Sequence, residues 1–227
     1  MGKIVLRMIK KYRNEFKYFI NYNEYKLLKN KLNLLMNSDE NSNKEGEYYI
    51  RSHYFDDFNN SSLFEKQAGI LNRKKYRIRT YNLDKKTIKL EKKSKINRFI
   101  NKENFKISYL QYLNLINYKY EFLLDINHYL AKEFYYDLRH KLFRPKIIIE
   151  YVREAYILNY NRIRITFDKY LKNSLTNSNL FDLKMPLINS LDENLFIIEI
   201  KFDNFLPSFI KSIIQVPSSP NLAISKY

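Results

Sequence analysis

Cysteine is absent from the chain. That excludes a disulfide frame, a thiolate zinc site and a cysteine nucleophile. Glycine is nearly absent: Gly2, Gly46 and Gly69 are the whole supply, so neither a Walker-type phosphate loop nor a Rossmann turn can be built. The only histidines, His53, His128 and His140, are too scattered for an imidazole metal site. Long apolar runs are missing as well. Segments such as Ile147-Ile148-Ile149 and Leu195-Phe196-Ile197-Ile198 fall far short of the about 20 residues a membrane-spanning helix needs. The lysine- and arginine-rich start lacks the apolar block of a signal peptide, so the sequence predicts a cytoplasmic location.

Acidic residues are also in deficit, 24 against 41 Lys plus Arg, which gives a formal charge of +17. A surface that basic favours polyanions, and phosphate in some form leads. Asn, Lys, Ile and Tyr are abundant throughout, a bias that nucleotide composition can also produce. The informative question is therefore whether the charges converge on one place.

Two-residue periodicity predicts strands over Arg13 to Phe19, Tyr48 to Phe55, Tyr76 to Tyr81, Lys86 to Ser94, Lys146 to Ala155, Arg162 to Phe167 and Phe196 to Phe202. Polar turn-forming stretches separate most of them, the pattern of an antiparallel sheet, sandwich or barrel. Three- and four-residue spacing predicts helices over Asn23 to Leu35, Ser108 to Leu115, His128 to Leu138 and Leu206 to Ile214, covering or plugging the sheet. Ser108 is placed to cap the second helix, and Pro145 marks where the next strand begins. No repeat, linker or composition break divides residues 1–227, which predicts one domain.

Residues two apart on a strand share a face. Glu15 with Lys17, Arg77 with Arg79, Lys89 with Glu91, Lys93 and Lys95, Tyr151 with Arg153, Arg162 with Arg164, Thr166 and Asp168, and Glu199 with Lys201 are all such sets, with largely apolar residues between them. Alternation alone fits a sheet with one solvated face. Here, however, the charged parity persists across six strands, and the unit Glu-x-Lys recurs at Glu15, Glu91 and Glu199. Charged faces turned inward would make a wet channel for something highly anionic together with a metal ion. Forked arginines suit phosphoryl oxygens, and a carboxylate suits a hard cation. Phosphoryl transfer is mostly positioning and charge neutralisation, so no side-chain nucleophile is required. A basic module binding nucleic acid or stored polyphosphate would need the cations on an outer face instead.

Read in order, Glu15-Phe16-Lys17-Tyr18, Ser52-His53-Tyr54-Phe55-Asp56, Lys75-Tyr76-Arg77-Ile78-Arg79, Leu90-Glu91-Lys92-Lys93, Tyr151-Val152-Arg153, Arg164-Ile165-Thr166-Phe167-Asp168, Ile198-Glu199-Ile200-Lys201-Phe202 and Ser225-Lys226-Tyr227 resemble the VTC domain. This is the polyphosphate polymerase domain of the vacuolar transporter chaperone family, within the triphosphate tunnel metalloenzyme (CYTH-like) superfamily. The resemblance implies an α+β fold, a closed antiparallel β-barrel of about eight strands forming a tunnel, with helices packed outside. It implies metal-dependent transfer of the γ-phosphoryl group of ATP onto inorganic polyphosphate, with Mn²⁺ or Mg²⁺ as cofactor. Lys17, Arg77, Arg79, Lys93, Arg153, Arg164, Lys201 and Lys226 would bind the phosphates. Glu199 would hold the metal, and Tyr151 and Ser225 would donate hydrogen bonds to phosphate. Arg51 and Lys89 join the substrate-binding set, while the place of Glu15, Glu91 and Glu150 depends on register. A membrane protein that exports the product is a partner by resemblance only, and nucleic acid is not expected. One departure is Lys102-Glu103-Asn104, where a Lys-Arg pair is expected. Lys75 is taken as an off-site comparison for Arg77.

Competing readings attach to several residues. His53 could touch phosphate, but a strand histidine facing the helices is the simpler reading, and Asp56 with Asp57 suit the end of a strand. Tyr109, Tyr112, Phe134 and Tyr135 suit a helix–sheet core. Tunnel hydrolases of this superfamily carry several glutamates for metal, so an excess of Lys and Arg favours a polymerase over a triphosphatase.

Overall fold

The computed structural model describes residues 13–97, 99–175, 179–214 and 224–227. Among the described residues there are ten strands: β1 (Asn14–Asn21), β2 (Asn37–Ser38), β3 (Glu47–Asp56), β4 (Arg73–Tyr81), β5 (Lys89–Ile96), β6 (Phe99–Lys106), β7 (Arg144–Leu158), β8 (Ile163–Ser174), β9 (Leu187–Asn189) and β10 (Leu195–Phe202). Six helices accompany them: α1 (Tyr22–Asn33), α2 (Ser61–Gln67), α3 (Tyr109–Ile116), α4 (Phe122–Asp125), α5 (Tyr129–His140) and α6 (Ser208–Ile214). The long strands pair antiparallel in the order β1-β10-β8-β7-β3-β4-β5-β6, with β2 on β7 and β9 on β8.

The expected closed barrel is corrected here. β1 and β6 stand at opposite ends of the ladder with no pairing between them, so the sheet is an open curl. Its edges approach through side chains: Lys93 on β5 reaches Glu15 on β1 at 3.4 Å. Backbone pairing is replaced across the opening by charge.

The outer face carries the apolar residues. Phe55, Tyr76, Ile78, Leu90 and Ile148 pack under Tyr112, Leu115, Leu123, Leu130, Phe134 and Leu138 from α3, α4 and α5. Ile165, Phe167, Ile198 and Ile200 pack under Tyr25, Leu28 and Leu32 of α1 and Ile210 and Ile214 of α6. Helix starts follow local chemistry. The Asn21 side chain accepts from Glu24 N at 2.9 Å while the Glu24 carboxylate accepts from Asn21 N at 2.8 Å. Ser108 and Gln111 repeat this reciprocal cap at α3, as the sequence predicts. Among the described residues, no helix is long and apolar enough to cross a membrane.

β8 holds one irregularity that matters for the site. Its register against β7 slips between Glu150 and Val152, and the extra residue falls near Tyr170, which adopts φ 54°. This bulge re-phases the strand: Asp168 faces inward, Lys169 faces out toward Glu47 and Glu154, and Leu171 faces inward again.

Candidate functional site

The inner face is charged because the two-residue alternation runs through β1, β4, β5, β7, β8 and β10, while β3 contributes Tyr48, Ile50 and Tyr54 to a buried cluster with Ile149, Tyr151 and Ile197. Between β1 and β10, Lys17 lies opposite Glu199 and Glu15 opposite Lys201. Between β7 and β8, Arg153 lies opposite Asp168, and between β4 and β5, Arg77 lies opposite Glu91. The structure brings these groups together with Arg79, Lys89, Lys93, Tyr151, Arg164 and Lys226 on the concave side.

At the centre, Arg153 makes a forked contact to Asp168, Nε to Oδ1 at 2.5 Å and Nη2 to Oδ2 at 2.7 Å, and reaches Glu199 at 3.4 Å. Lys226 closes on the same Asp168 carboxylate and lies 4.8 Å above the Tyr151 ring. Burial pushes the Asp168 carboxyl up, but Arg153 and Lys226 overcome it and hold the group below its ordinary value. Glu199 is only 4% exposed. There too burial is outweighed: Lys201, Lys17 and Arg153 hold the carboxyl well below the usual range, so Glu199 is ionised.

A second group lies on β3, β4 and β5. Arg77 donates to Glu91 at 2.7 Å and to the Tyr54 hydroxyl at 3.0 Å. Arg79 donates to Ser52 Oγ at 3.0 Å and to the Tyr151 hydroxyl at 3.1 Å. Burial raises the Tyr54 phenol, yet Arg77, Arg79 and Lys226 bring it down to about 8. Tyr227 stacks on Tyr54 with centroids 4.9 Å apart and planes 8° apart. The other candidates lie around these groups. Arg164 pairs with Asp39 at 2.5 Å and donates to Tyr48 at 2.7 Å, and Lys89 sits 5.9 Å over the Tyr81 ring. Ser225 Oγ accepts from Lys75 at 3.3 Å.

Arg51 is not part of this surface, and its assignment to substrate is corrected. It shares strand parity with His53 and Phe55, which face the helices. Its guanidinium is locked to Glu150 at 2.5 Å and donates to the carbonyls of Leu180 and Asp182. Glu150 is therefore outside the curl as well. His53 also faces outward, with Nδ1 3.2 Å from the Tyr112 hydroxyl. Breaking a buried ion pair from one side costs about 3–5 kcal/mol. Arg51→Ala is thus expected to lower unfolding free energy by about that amount with substrate KM unchanged, measured by denaturant titration and steady-state kinetics; wild-type stability with a raised KM would return Arg51 to the site.

Several inward cations escaped the sequence reading, Arg73 and Lys106 among them. Lys75 is on the same face as Arg77, donating to Tyr227 O at 2.6 Å, so it is no off-site comparison. Lys102 on β6 reaches Glu91 at 2.7 Å, in the segment where a Lys-Arg pair was expected. Parity would have found Lys75; Lys102 needed recognition of β6.

Whether a divalent cation fits was tested on the oxygen donors. Among the described residues, no three acidic or histidine side chains cluster tightly enough to cage an ion unaided. Glu199 nevertheless presents an ionised carboxylate opposite Thr166, whose buried hydroxyl makes no hydrogen bond among the described residues. One carboxylate, a hydroxyl and oxygens from phosphate and water form a set that Mg²⁺ or Mn²⁺ accepts. The fit is to a cation brought with a phosphate.

The fold is shared by solved proteins of low identity. HpAC1 from Hippeastrum, for which a dominant triphosphatase activity is reported, superposes with a TM-score of 0.51 at 12% identity, covering 93% of this chain and 91% of that one. A Bacillus halodurans protein designated an adenylate cyclase gives 0.51 at 14% identity over 92% and 94%. These likenesses show the fold alone. Among curated proteins none matches the sequence. The VTC domain family model matches residues 12–227, and the chain belongs to that family.

Proposed function

We propose that this protein is an ATP-dependent polyphosphate polymerase that moves the γ-phosphoryl group of ATP onto the end of an inorganic polyphosphate chain. The observation that carries the reading is the excess of Lys and Arg over Asp and Glu on the inner face of a VTC-family curl. A triphosphate needs only part of that charge; a long anionic product uses more.

The chemistry divides among residues already placed. Forked donors of Arg153, Arg77 and Arg79 suit non-bridging phosphoryl oxygens, whose charge shifts as the bond from the γ-phosphorus to the β–γ bridging oxygen breaks. An oxygen of the acceptor chain's terminal phosphate, already ionised, forms the new bond to that phosphorus, and ADP leaves with the bridging oxygen. No protein group has to remove a proton from the nucleophile. Lys17, Lys201 and Lys226 supply compact positive charge and orient the chain. Glu199, with the Thr166 hydroxyl, would hold Mn²⁺ or Mg²⁺, which when bound neutralises phosphate charge.

The balance of products tests this reading. Purified protein with ATP and either cation is expected to release ADP with little free phosphate; equal amounts of ADP and phosphate would make it a hydrolase.

A pH dependence follows from Lys75. Burial lowers its amine to about 8; Tyr54 opposes this, while Lys66 and Arg73 lower it further. Burial likewise lowers Lys93 to about 8, but 44% of that side chain reaches solvent, so screening weakens the effect and Lys75 carries the argument. Below about pH 8 Lys75 is charged in the free protein; above it, a polyanion binds only by restoring the proton. Polyphosphate affinity is therefore expected to fall as pH rises through this range and to fall less in Lys75→Arg. Identical pH profiles would remove Lys75 from the binding surface.

A further inference from the structure

Lys17, Arg77, Arg79, Lys93, Arg153, Arg164 and Lys201 all stand on paired strands, where the ladder fixes the backbone beneath each side chain. Lys226 is the exception. Residues 224–227 lie in neither strand nor helix, and among the described residues they make no backbone-to-backbone hydrogen bond. A lysine carries its charge on a flexible four-carbon stem, so the place of its ammonium depends on what fixes its backbone. The Lys226 side chain is nevertheless only 9% exposed and reaches Asp168, the carboxylate that already takes the fork of Arg153. Something other than the ladder holds it there.

The hold is on the next residue. Tyr54 and Asp56 are two apart on β3 and share its inner face, and Tyr227 lies along both. Its ring stacks on Tyr54, and its hydroxyl donates to Asp56 Oδ2 at 2.5 Å. Asp56 is fully buried and is itself fixed by the backbone. Its Oδ1 accepts from the N–H groups of Asp57 and Ser62, both at 2.9 Å, and its Oδ2 accepts from that of Leu63 at 3.2 Å. A carboxylate held in this way is a rigid acceptor, and the hydrogen bond from Tyr227 is charge-assisted. Burial and the contact with Asp56 raise the Tyr227 phenol above its ordinary value, so it stays a donor at neutral pH. Two weaker anchors flank it. Lys75 donates to the Tyr227 carbonyl and lies 4.9 Å over its ring, and Ile224 packs on the apolar cluster that contains Tyr48, Ile50 and Ile149.

We propose that Asp56 and Tyr227 are positioning residues for Lys226, a latch that fixes its backbone so that the ammonium stands in the phosphate site before substrate arrives. This rests on the reading of the concave face as a phosphate site, and neither latch residue is assigned to phosphate. The physical need for a latch comes from Asp168. An anion has to draw the Lys226 ammonium away from that carboxylate. With the backbone anchored only the stem moves, whereas an unanchored segment has to be ordered at the expense of binding. The opposite role, a plug whose ring fills space that the substrate needs, predicts the opposite sign on removal.

Calorimetric titration with tripolyphosphate tests the latch, without divalent metal so that no turnover occurs and at a temperature where thermal melts show every variant folded. Wild type is compared with Lys226→Ala, Tyr227→Ala, Tyr227→Phe and the double variant Lys226→Ala/Tyr227→Ala. Lys226→Ala is expected to weaken binding about tenfold. Tyr227→Ala should lose nearly as much although it keeps every cation. Tyr227→Phe retains the stack on Tyr54 but not the bond to Asp56, and should lose about threefold. In the double variant the loss should match that of Lys226→Ala alone, because with the ammonium gone nothing is left to position. Losses that add would mean that Tyr227 supports the site by general packing, and would overturn the latch. Tighter binding by Tyr227→Ala would make the ring a plug and overturn it as well. Wild-type affinity in Tyr227→Phe would remove Asp56 from the latch. Wild-type affinity in Lys226→Ala would overturn the placement of Lys226 at phosphate, and the latch with it. The titration involves no catalysis, so a protein that hydrolyses ATP without building polyphosphate would refute the polymerase reading and leave the latch standing.

Discussion

Glu199→Gln is expected to reduce metal-dependent turnover by about a hundredfold or more while tightening metal-free triphosphate binding. The two effects have one origin. Glutamine keeps the shape of the side chain but removes the charge, and with it the carboxylate that suits a hard cation. It also removes the one acid that Lys201, Lys17 and Arg153 all act on. Those three cations then face a phosphate with one competing carboxylate fewer, Glu15 and Asp168 remaining. A merely structural Glu199 would lower stability and leave both turnover and affinity near wild type; that outcome, measured by initial rates and by titration without metal, would remove it from the metal site.

Arg153→Ala is expected to lose as much stability as Arg51→Ala. Asp168 is 1% exposed and takes both of its forked contacts from Arg153. Truncation leaves that carboxylate with Lys226 alone and takes one cation away from Glu199. The cost of breaking such a buried pair is about 3–5 kcal/mol. The sign of its pH dependence follows from the depressed Asp168 carboxyl. Stabilisation by the pair is fully present above the ordinary value of 3.8 and fades as pH falls toward the lower value of the folded state. The gap between wild type and Arg153→Ala in denaturant unfolding should therefore be wide at neutral pH and narrow in acid. A gap independent of pH would mean that Arg153 acts by packing on the Tyr151 ring, 5.4 Å away, and not through Asp168. Arg153→Lys keeps a charge but not the fork, and should recover part of the stability.

Much of the concave face was legible in the sequence because alternation is a local property. Once Phe16, Ile78, Ile165 and Ile198 are read as core, Lys17, Arg77, Arg79, Arg164, Glu199 and Lys201 must face the other way. Arg51 was misread although the same rule covers it: it alternates in step with His53 and Phe55, and those two pack against the helices. Lys75 was misread for the same reason, two residues before Arg77. Closure is another matter. Whether a curled sheet completes its seam depends on how its first and last strands approach in space, and no pattern within a strand encodes that. β6 was missed because its inward positions, Lys102 and Asn104, sit within a polar stretch that reads as a turn. The bulge at Tyr170 hid the second half of β8, where the alternation changes phase.

The central claim is that the phosphoryl group taken from ATP ends in a chain and not in water. Phosphorus NMR of the purified protein incubated with ATP and Mg²⁺ separates these fates in one spectrum. The account predicts a growing resonance from phosphates inside a polyphosphate chain as the γ signal of ATP declines. Orthophosphate rising in step with ADP, with no chain signal, would contradict it.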